Sequence, residues 1–309
     1  MINRARAFCP AGISSFFEIC DSTSEGTLIA DPKHVGARGG GFALDKGVET
    51  DVKLVEAQKN RIDVFINGLH CQEADTTKTV VAAFLENTYK AYHVAVKHLV
   101  DVPIGAGFGS SAAGALGTAL ALSKALGLNF TYNQLGRIAH VAEVKCRTGL
   151  GTVGPLMYGG CGLTLEPGAP GISSLDQIPI SPDYRIIAGT FRPYPTKEIL
   201  SSQENKEIIN EWGQRTLKKI LADPSPRNFM RACKDFAFGT GFVTEHVKKL
   251  IEAAENAGAI GAAQNMLGEA VHALVGLNRV EDVLRVFKRF LPEEKIIIAS
   301  IDFQGARIG

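Results

Sequence analysis

Apolar and β-branched residues surround polar ones from Val48 to Ala57 and again from Arg61 to Asn67, and the polar break between them predicts a hairpin. From Lys78 to Leu99, the positions Val81, Phe84, Leu85, Thr88, Tyr92, Ala95 and Leu99 recur at three- and four-residue steps, which predicts one helix. A strand-like Val100–Ile104 follows, then a Gly/Ser loop and a helix over Ser110–Leu126. A further helix is expected over Tyr132–Arg147. Leu135, Ile138, Ala142 and Cys146 mark its apolar face, while His140, Glu143 and Arg147 mark another.

A Pro/Gly-rich stretch from Pro167 to Pro182 is the best candidate linker. Beyond it the pattern predicts a strand over Tyr184–Phe191 and helices over Asn205–Leu221, Arg227–Phe238 and Thr244–Ala257. The chain then finishes with a strand at Val271–Val275, a helix at Val280–Phe290 and a strand at Lys295–Asp302. That βαβ-like finish gives an α+β class, with lobes expected at residues 1–180 and 181–309.

Composition acts mainly by exclusion. The 309 residues are 45% hydrophobic and 21% charged, and Lys plus Arg (33) nearly cancels Asp plus Glu (32). No net field favours nucleic acid or an anionic membrane, so any bound anion is captured locally. The six cysteines are scattered without a C-x-x-C pair and read as reduced thiols. Pro10 and Gly12 interrupt the first apolar run before a signal-peptide core is complete, so a cytoplasmic protein is expected. Val102 to Ser123 carries no charge, but its five glycines and its hydroxyl residues suit a buried loop and helix better than a membrane span.

The chemistry concentrates in P-I-G-A-G-F-G-S-S-A-A, from Pro103 to Ala113. Gly105, Gly107 and Gly109 allow close backbone approach, and Ser110 and Ser111 fall where the next helix begins. Such a helix start presents unpaired N–H groups and partial positive charge to a polyphosphate. A Walker loop is excluded because no Gly-Lys pair occurs anywhere. A dinucleotide fold is disfavoured because no acid appears between this loop and Glu143.

The same residues resemble the second motif of the GHMP kinases, P-x-x-x-G-[LF]-G-S-S-A-A. The opening segment Ala7–Ser15 is similar to that family's A-P-G-like strand. G-A-R-G at Gly36–Gly39, T-G-L-G at Thr148–Gly151, P-T-K-E-I-L at Pro195–Leu200 and S-I-D-F-Q-G-A-R-I at the end resemble, within it, the archaeal pantoate kinases. In place of the family's third glycine-rich loop stands Gly258–Gly268, carrying Gln264, Asn265 and Met266.

The resemblance implies a two-lobed fold, with a ribosomal S5 domain 2-like N-terminal lobe and a ferredoxin-like, helix-rich C-terminal lobe. It implies ATP on Pro103, Gly105, Gly107, Gly109, Ser110, Ser111 and Ala112, and Mg²⁺ shared by Ser111 and Glu143. The acceptor is expected against Arg38, His140, Arg147, Thr196 and Lys197, and a homodimer is one possible assembly. Many family members carry a catalytic aspartate after T-G-L-G, where this chain has Thr152, so direct or substrate-assisted attack by the acceptor hydroxyl is expected. Some relatives also carry a serine at Ala37 and an arginine at Thr164. The expected reaction is phosphorylation of the primary hydroxyl of pantoate to 4-phosphopantoate, towards coenzyme A. Homoserine kinase, or a non-catalytic GHMP-fold sensor, are the alternatives.

Overall fold

The computed structural model describes residues 2–23, 25–86, 88–192 and 202–309. Two long strands, β1 (Ile2–Cys20) and β2 (Gly36–Ala57), pair antiparallel along nearly their whole lengths and form the spine of the first sheet. Their register shifts at Pro10/Ala11, where a residue without an N–H cannot hold the ladder, and again at Ser14/Phe16. The second half of β2 pairs with β5 (Ala91–Val100), and its first half with β6 (Cys161–Glu166). β3 (Arg61–Ile66), β4 (Leu69–His70), β7 (Ser174–Ile178) and the short C-terminal β12 (Arg307–Ile308) complete the sheet.

Three expectations change here. Val48–Ala57 and Arg61–Ile66 are both strands but not a hairpin, since β5 lies between them and β3 pairs parallel with it. A parallel pair needs a crossover, and helix α1 (Asp75–Leu85) supplies it. The helix expected over Lys78–Leu99 therefore ends at Leu85, and Ala91–Val100 is strand, burying Val94, Val96 and His98 at two-residue steps. Residues 167–182, expected as a linker, contain β7, which pairs with β6.

Helices α2 (Ser110–Leu126), α3 (Tyr132–Cys146) and α4 (Val153–Tyr158) follow the Gly/Ser loop. α2 packs on β1 and β2, and is buried along almost its full length by Ala, Leu and Gly. Its small side chains allow close approach. A Cβ added at Gly117 would stand 2.6 Å from Thr50 Oγ1.

The second sheet has the order β11 (Ile296–Ser300), β8 (Tyr184–Arg192), β10 (Glu269–Gly276), β9 (Gly261–Gln264). β10 and β11 flank β8, both antiparallel to it, and α8 (Val280–Phe290) joins them; this is the split βαβ arrangement of ferredoxin-like folds. Helices α5 (Gln203–Ala222), α6 (Pro226–Gly239) and α7 (Glu245–Asn256) begin at Ser202, Ser225 and Thr244, whose hydroxyls accept from the first turn. Phe229 and Phe236 of α6 meet Phe16 and Phe42 of the first sheet edge-on, so both sheets contribute to one apolar cluster. No described helix is long and apolar enough to cross a membrane.

Candidate active site

The Gly/Ser loop is fixed from three sides. Gly105, Gly107 and Gly109 all have positive φ (75°, 78° and 60°), which a side-chain-bearing residue adopts only at a cost. The Gly12 N–H, just past the β1 register shift, donates to Phe108 O at 3.0 Å. A Cβ at Gly107 would lie 3.0 Å from Asn265 Cβ, and Met266 N–H donates to Ser14 O at 2.8 Å, so the 264–268 turn braces the loop. Gly109 is the N-cap of α2 and offers no side-chain acceptor, which leaves the first-turn N–H groups free of a protein cap.

α3 starts at a capping box, Thr131 with Gln134, and ends with Arg147 in the left-handed conformation at φ 55°. Thr148 N–H returns to Glu143 O and Arg147 N–H to Val144 O, the two bonds of a Schellman turn. This local turn sets Thr148 beside Glu143. The Glu143 carboxylate is buried, and its Oε1 accepts from Ser111 Oγ at 2.5 Å and Thr148 Oγ1 at 2.6 Å. Burial pushes the Glu143 carboxyl up, and the two hydroxyls pull it partly back. Oε2 makes no hydrogen bond among the described residues, and it lies over Gly149.

A cleft of about 440 Å³ opens over this loop. Gly105, Gly107, Gly109, Ser110 and Ser111 line it on one side; Arg38, Arg147 and Thr152 line it elsewhere. Pro103 and Ala112, expected to touch nucleotide, do not line it, and Ala112 is buried in α2. His140, expected against the acceptor, is buried and hydrogen-bonded through Nε2 to Val35 O at 2.9 Å. Its burial drives its pKa down, and it anchors the chain before β2 rather than facing the cleft. Thr196 and Lys197 lie outside the described residues.

The two arginines differ. Arg38, one of the residues expected against the acceptor, is already engaged: Nη1 with both oxygens of buried Glu18 at 3.3 Å, Nη2 with Glu166 at 3.1 Å and Nε with Leu165 O. Arg147 is exposed, lines the cleft and has no side-chain hydrogen bond or ion pair among the described residues. Arg192, outside the cleft lining, pairs with Glu269. Thr152 places its methyl group against the loop, 2.8 Å from where a Gly109 Cβ would stand.

Sequence reasoning missed Thr148 and Thr76. Thr148 was visible within T-G-L-G, two residues past the helix end. Thr76, whose Oγ1 lies 2.9 Å from that of Thr148, is 72 positions away and carries no sequence signal. Met266 and Leu267 were also missed as cleft wall, although the turn that bears them was noted.

The donor set suits a hard divalent cation: one carboxylate oxygen without a protein partner beside a serine hydroxyl. No group of three or more His, Cys, Asp or Glu side chains forms a metal cage among the described residues. That fits Mg²⁺, which takes few protein ligands and completes its shell with phosphate and water.

Residues 75–160 match the family described as GHMP kinases N terminal domain. The chain is 31% identical to a pantoate kinase of Methanocaldococcus jannaschii, over 91% of this chain and 96% of the relative. It is 33% identical to a pantoate kinase of Thermococcus kodakarensis, over 87% of each. A solved structure, described as a phosphotransferase related to the CoA biosynthesis pathway, superposes with a TM-score of 0.87 at 29% identity, covering 99% of this chain and 98% of that one. With its phosphate loop, its Ser111–Glu143 pair and these full-length relatives, the chain belongs to the GHMP kinase family.

Proposed function

We propose that the protein is an ATP-dependent pantoate kinase, which transfers the γ-phosphoryl group to the primary hydroxyl of pantoate and yields 4-phosphopantoate for coenzyme A synthesis. The observation that carries the choice of acceptor is the charge of the cleft. Among the described residues its lining includes two guanidinium groups, Arg147 and Arg38, while the carboxylates beside it are committed, Glu143 to the Mg²⁺ site and Glu18 and Glu166 to Arg38. Pantoate presents one carboxylate, which a guanidinium binds through paired hydrogen bonds. Homoserine adds an ammonium group, which such a wall leaves without an acidic partner. The full-length pantoate kinase relatives support the same acceptor.

The loop N–H groups at the start of α2 cradle the nucleotide phosphates, and Ser111 with Glu143 would hold Mg²⁺. When bound, that ion neutralises charge developing on the transferring phosphoryl group. Arg147 orients the acceptor through its carboxylate. Thr152 presents no general base, so the hydroxyl attacks with its proton leaving to phosphate or solvent, as a loose transition state permits. Catalysis is then mainly positioning and electrostatics.

The absence of an acid at Thr152 also favours a second reading, a nucleotide or metabolite sensor without turnover. Incubation with ATP, Mg²⁺ and pantoate, followed by phosphorus NMR of the product, separates the two. A phosphomonoester on the primary oxygen of pantoate is expected; ATP left intact with every acceptor would favour the sensor.

A further inference from the structure

Glu143 is held by a chain of hydroxyls that reaches back to the first turn of α1. Counting protons fixes its direction. Thr148 has one hydroxyl hydrogen and lies 2.6 Å from the charged Glu143 Oε1, against 3.4 Å from the Glu143 carbonyl, so it donates to the carboxylate. Its lone pairs then accept from Thr76 Oγ1 at 2.9 Å. Ser111 donates to the same Oε1 from the other side. Both hydroxyls therefore address one oxygen, and the other, Oε2, stays over Gly149, itself part of the cleft wall.

The far end of the chain is rigid. Thr76 is buried, and its neighbour Thr77 bonds His98 Nε2 at 3.0 Å, while His98 Nδ1 meets Thr50 Oγ1 at 2.9 Å. His98 is itself buried, so α1 is pinned at its first turn to the centre of the first sheet. Thr148 approaches from the opposite direction, set by the Schellman turn at Arg147.

We infer that Thr148, backed by Thr76, is a positioning pair that orients the Glu143 carboxylate so that Oε2 faces the cleft and the Mg²⁺·nucleotide complex. This inference rests on the kinase reading above. Thr76 lies away from the cleft, and Thr148, although part of the cleft wall, is placed here to act through Glu143. The carboxylate is on a flexible side chain, and Ser111 alone leaves it free to rotate about that one contact. Thr148 supplies a second hydrogen bond to Oε1, which holds that oxygen between two donors and leaves Oε2 for the metal. A threonine seventy-two positions upstream thereby belongs to the metal site, although nothing in its own neighbourhood of the sequence marks it.

The test measures binding without any acceptor. Calorimetry gives the affinity for adenosine 5′-(β,γ-imido)triphosphate with Mg²⁺ and with EDTA, and the ratio is the gain due to metal. In Thr148→Val that gain is expected to fall about ten-fold, as for other residues that orient a metal ligand, while affinity in EDTA stays within about two-fold. Thr76→Val should lose less in the same direction, and Thr148→Ser, which restores the hydroxyl, should recover the wild-type ratio. A Thr148→Val protein with an unchanged metal-dependent gain would overturn the inference, as would a serine variant as impaired as the valine. Because pantoate is absent, a wrong acceptor leaves this result standing, and a failed relay leaves the turnover measurements standing.

Discussion

A Cβ placed on Gly149 would lie 2.2 Å from Glu143 Oε2, so the residue after Thr148 is small because the carboxylate rests on it. Gly149 does not have a positive φ, and alanine there strains no backbone. Gly149→Ala should therefore push the carboxylate aside while the fold persists. The expected result is a fall in kcat of about two orders of magnitude, as when a group that stabilises developing charge is displaced, with a melting temperature close to wild type. Steady-state rates and a thermal melt on the same preparation check it.

Arg147 occupies a left-handed helix-end position where glycine is preferred, and its guanidinium is unpaired among the described residues. The variant Arg147→Gly keeps the turn and removes the side chain with its charge. It should gain about 1 kcal/mol of stability by relieving the left-handed strain. The KM for pantoate should rise at least about ten-fold, and that for ATP should change only a few-fold, as expected when binding to one substrate is lost. A rise in both KM values alike would assign Arg147 to the nucleotide instead.

Arg38 is a poor probe of the acceptor, because its guanidinium also holds Glu18 and Glu166. Its removal leaves Glu18, which is only 7% exposed, with Gln214 Nε2 at 2.9 Å as its remaining partner. Arg38→Ala should cost about 2 kcal/mol, the penalty of stranding a mostly buried charge. Adding Glu18→Gln should return more than half of the loss in a denaturant titration. Simple additivity of the two changes would contradict the pairing.

Glu143 trades stability for function. Its pKa is raised by burial above the ordinary value near 4.5, so the folded protein bears the cost of an ionised carboxylate at neutral pH. Stability from this group is full below about pH 4.5 and is lost as pH rises through the raised value. In metal-free buffer Glu143→Gln should melt higher than wild type at pH 7 to 8, and the difference should vanish near pH 4. Its kcat should drop by about two orders of magnitude, and Ser111→Ala should do the same, since both remove a group that orients or binds Mg²⁺. Calorimetric melts across that pH range give the sign directly.

What the sequence revealed and what it hid follow from the range of each interaction. α2 spans Ser110–Leu126 as expected, because glycines with positive φ at Gly109 and Gly127 bound it locally. α3 was legible through its amphipathic face, and the structure adds the capping box that starts it. The false helix over Lys78–Leu99 arose because Tyr92, Ala95 and Leu99 happen to suit a helical step within a strand that actually buries Val94, Val96 and His98. Strand adjacency was hidden too, since the partner of Arg61–Ile66 arrives only after a helical crossover.

Within the site, Ser111 stands in the Gly/Ser motif and Glu143 was reached through the family resemblance, and the structure brings their side chains to 2.5 Å. His140 was misplaced because helix geometry puts it one turn from Glu143 without saying which side Val35 covers. The ion pairs of Arg38 were hidden because its partners, Glu18 and Glu166, come from two other strands.

The account is tested most directly by the specificity constant of the purified protein for different acceptors. ADP release is followed with saturating ATP and Mg²⁺ over a concentration series of pantoate, homoserine, mevalonate, shikimate and galactose. A kcat/KM for pantoate at least about a hundred-fold above that for every other acceptor is predicted, matching a wall with arginine and no uncommitted acid. Efficient turnover of homoserine with none of pantoate would contradict the assignment of the acceptor and leave the phosphoryl-transfer chemistry in place.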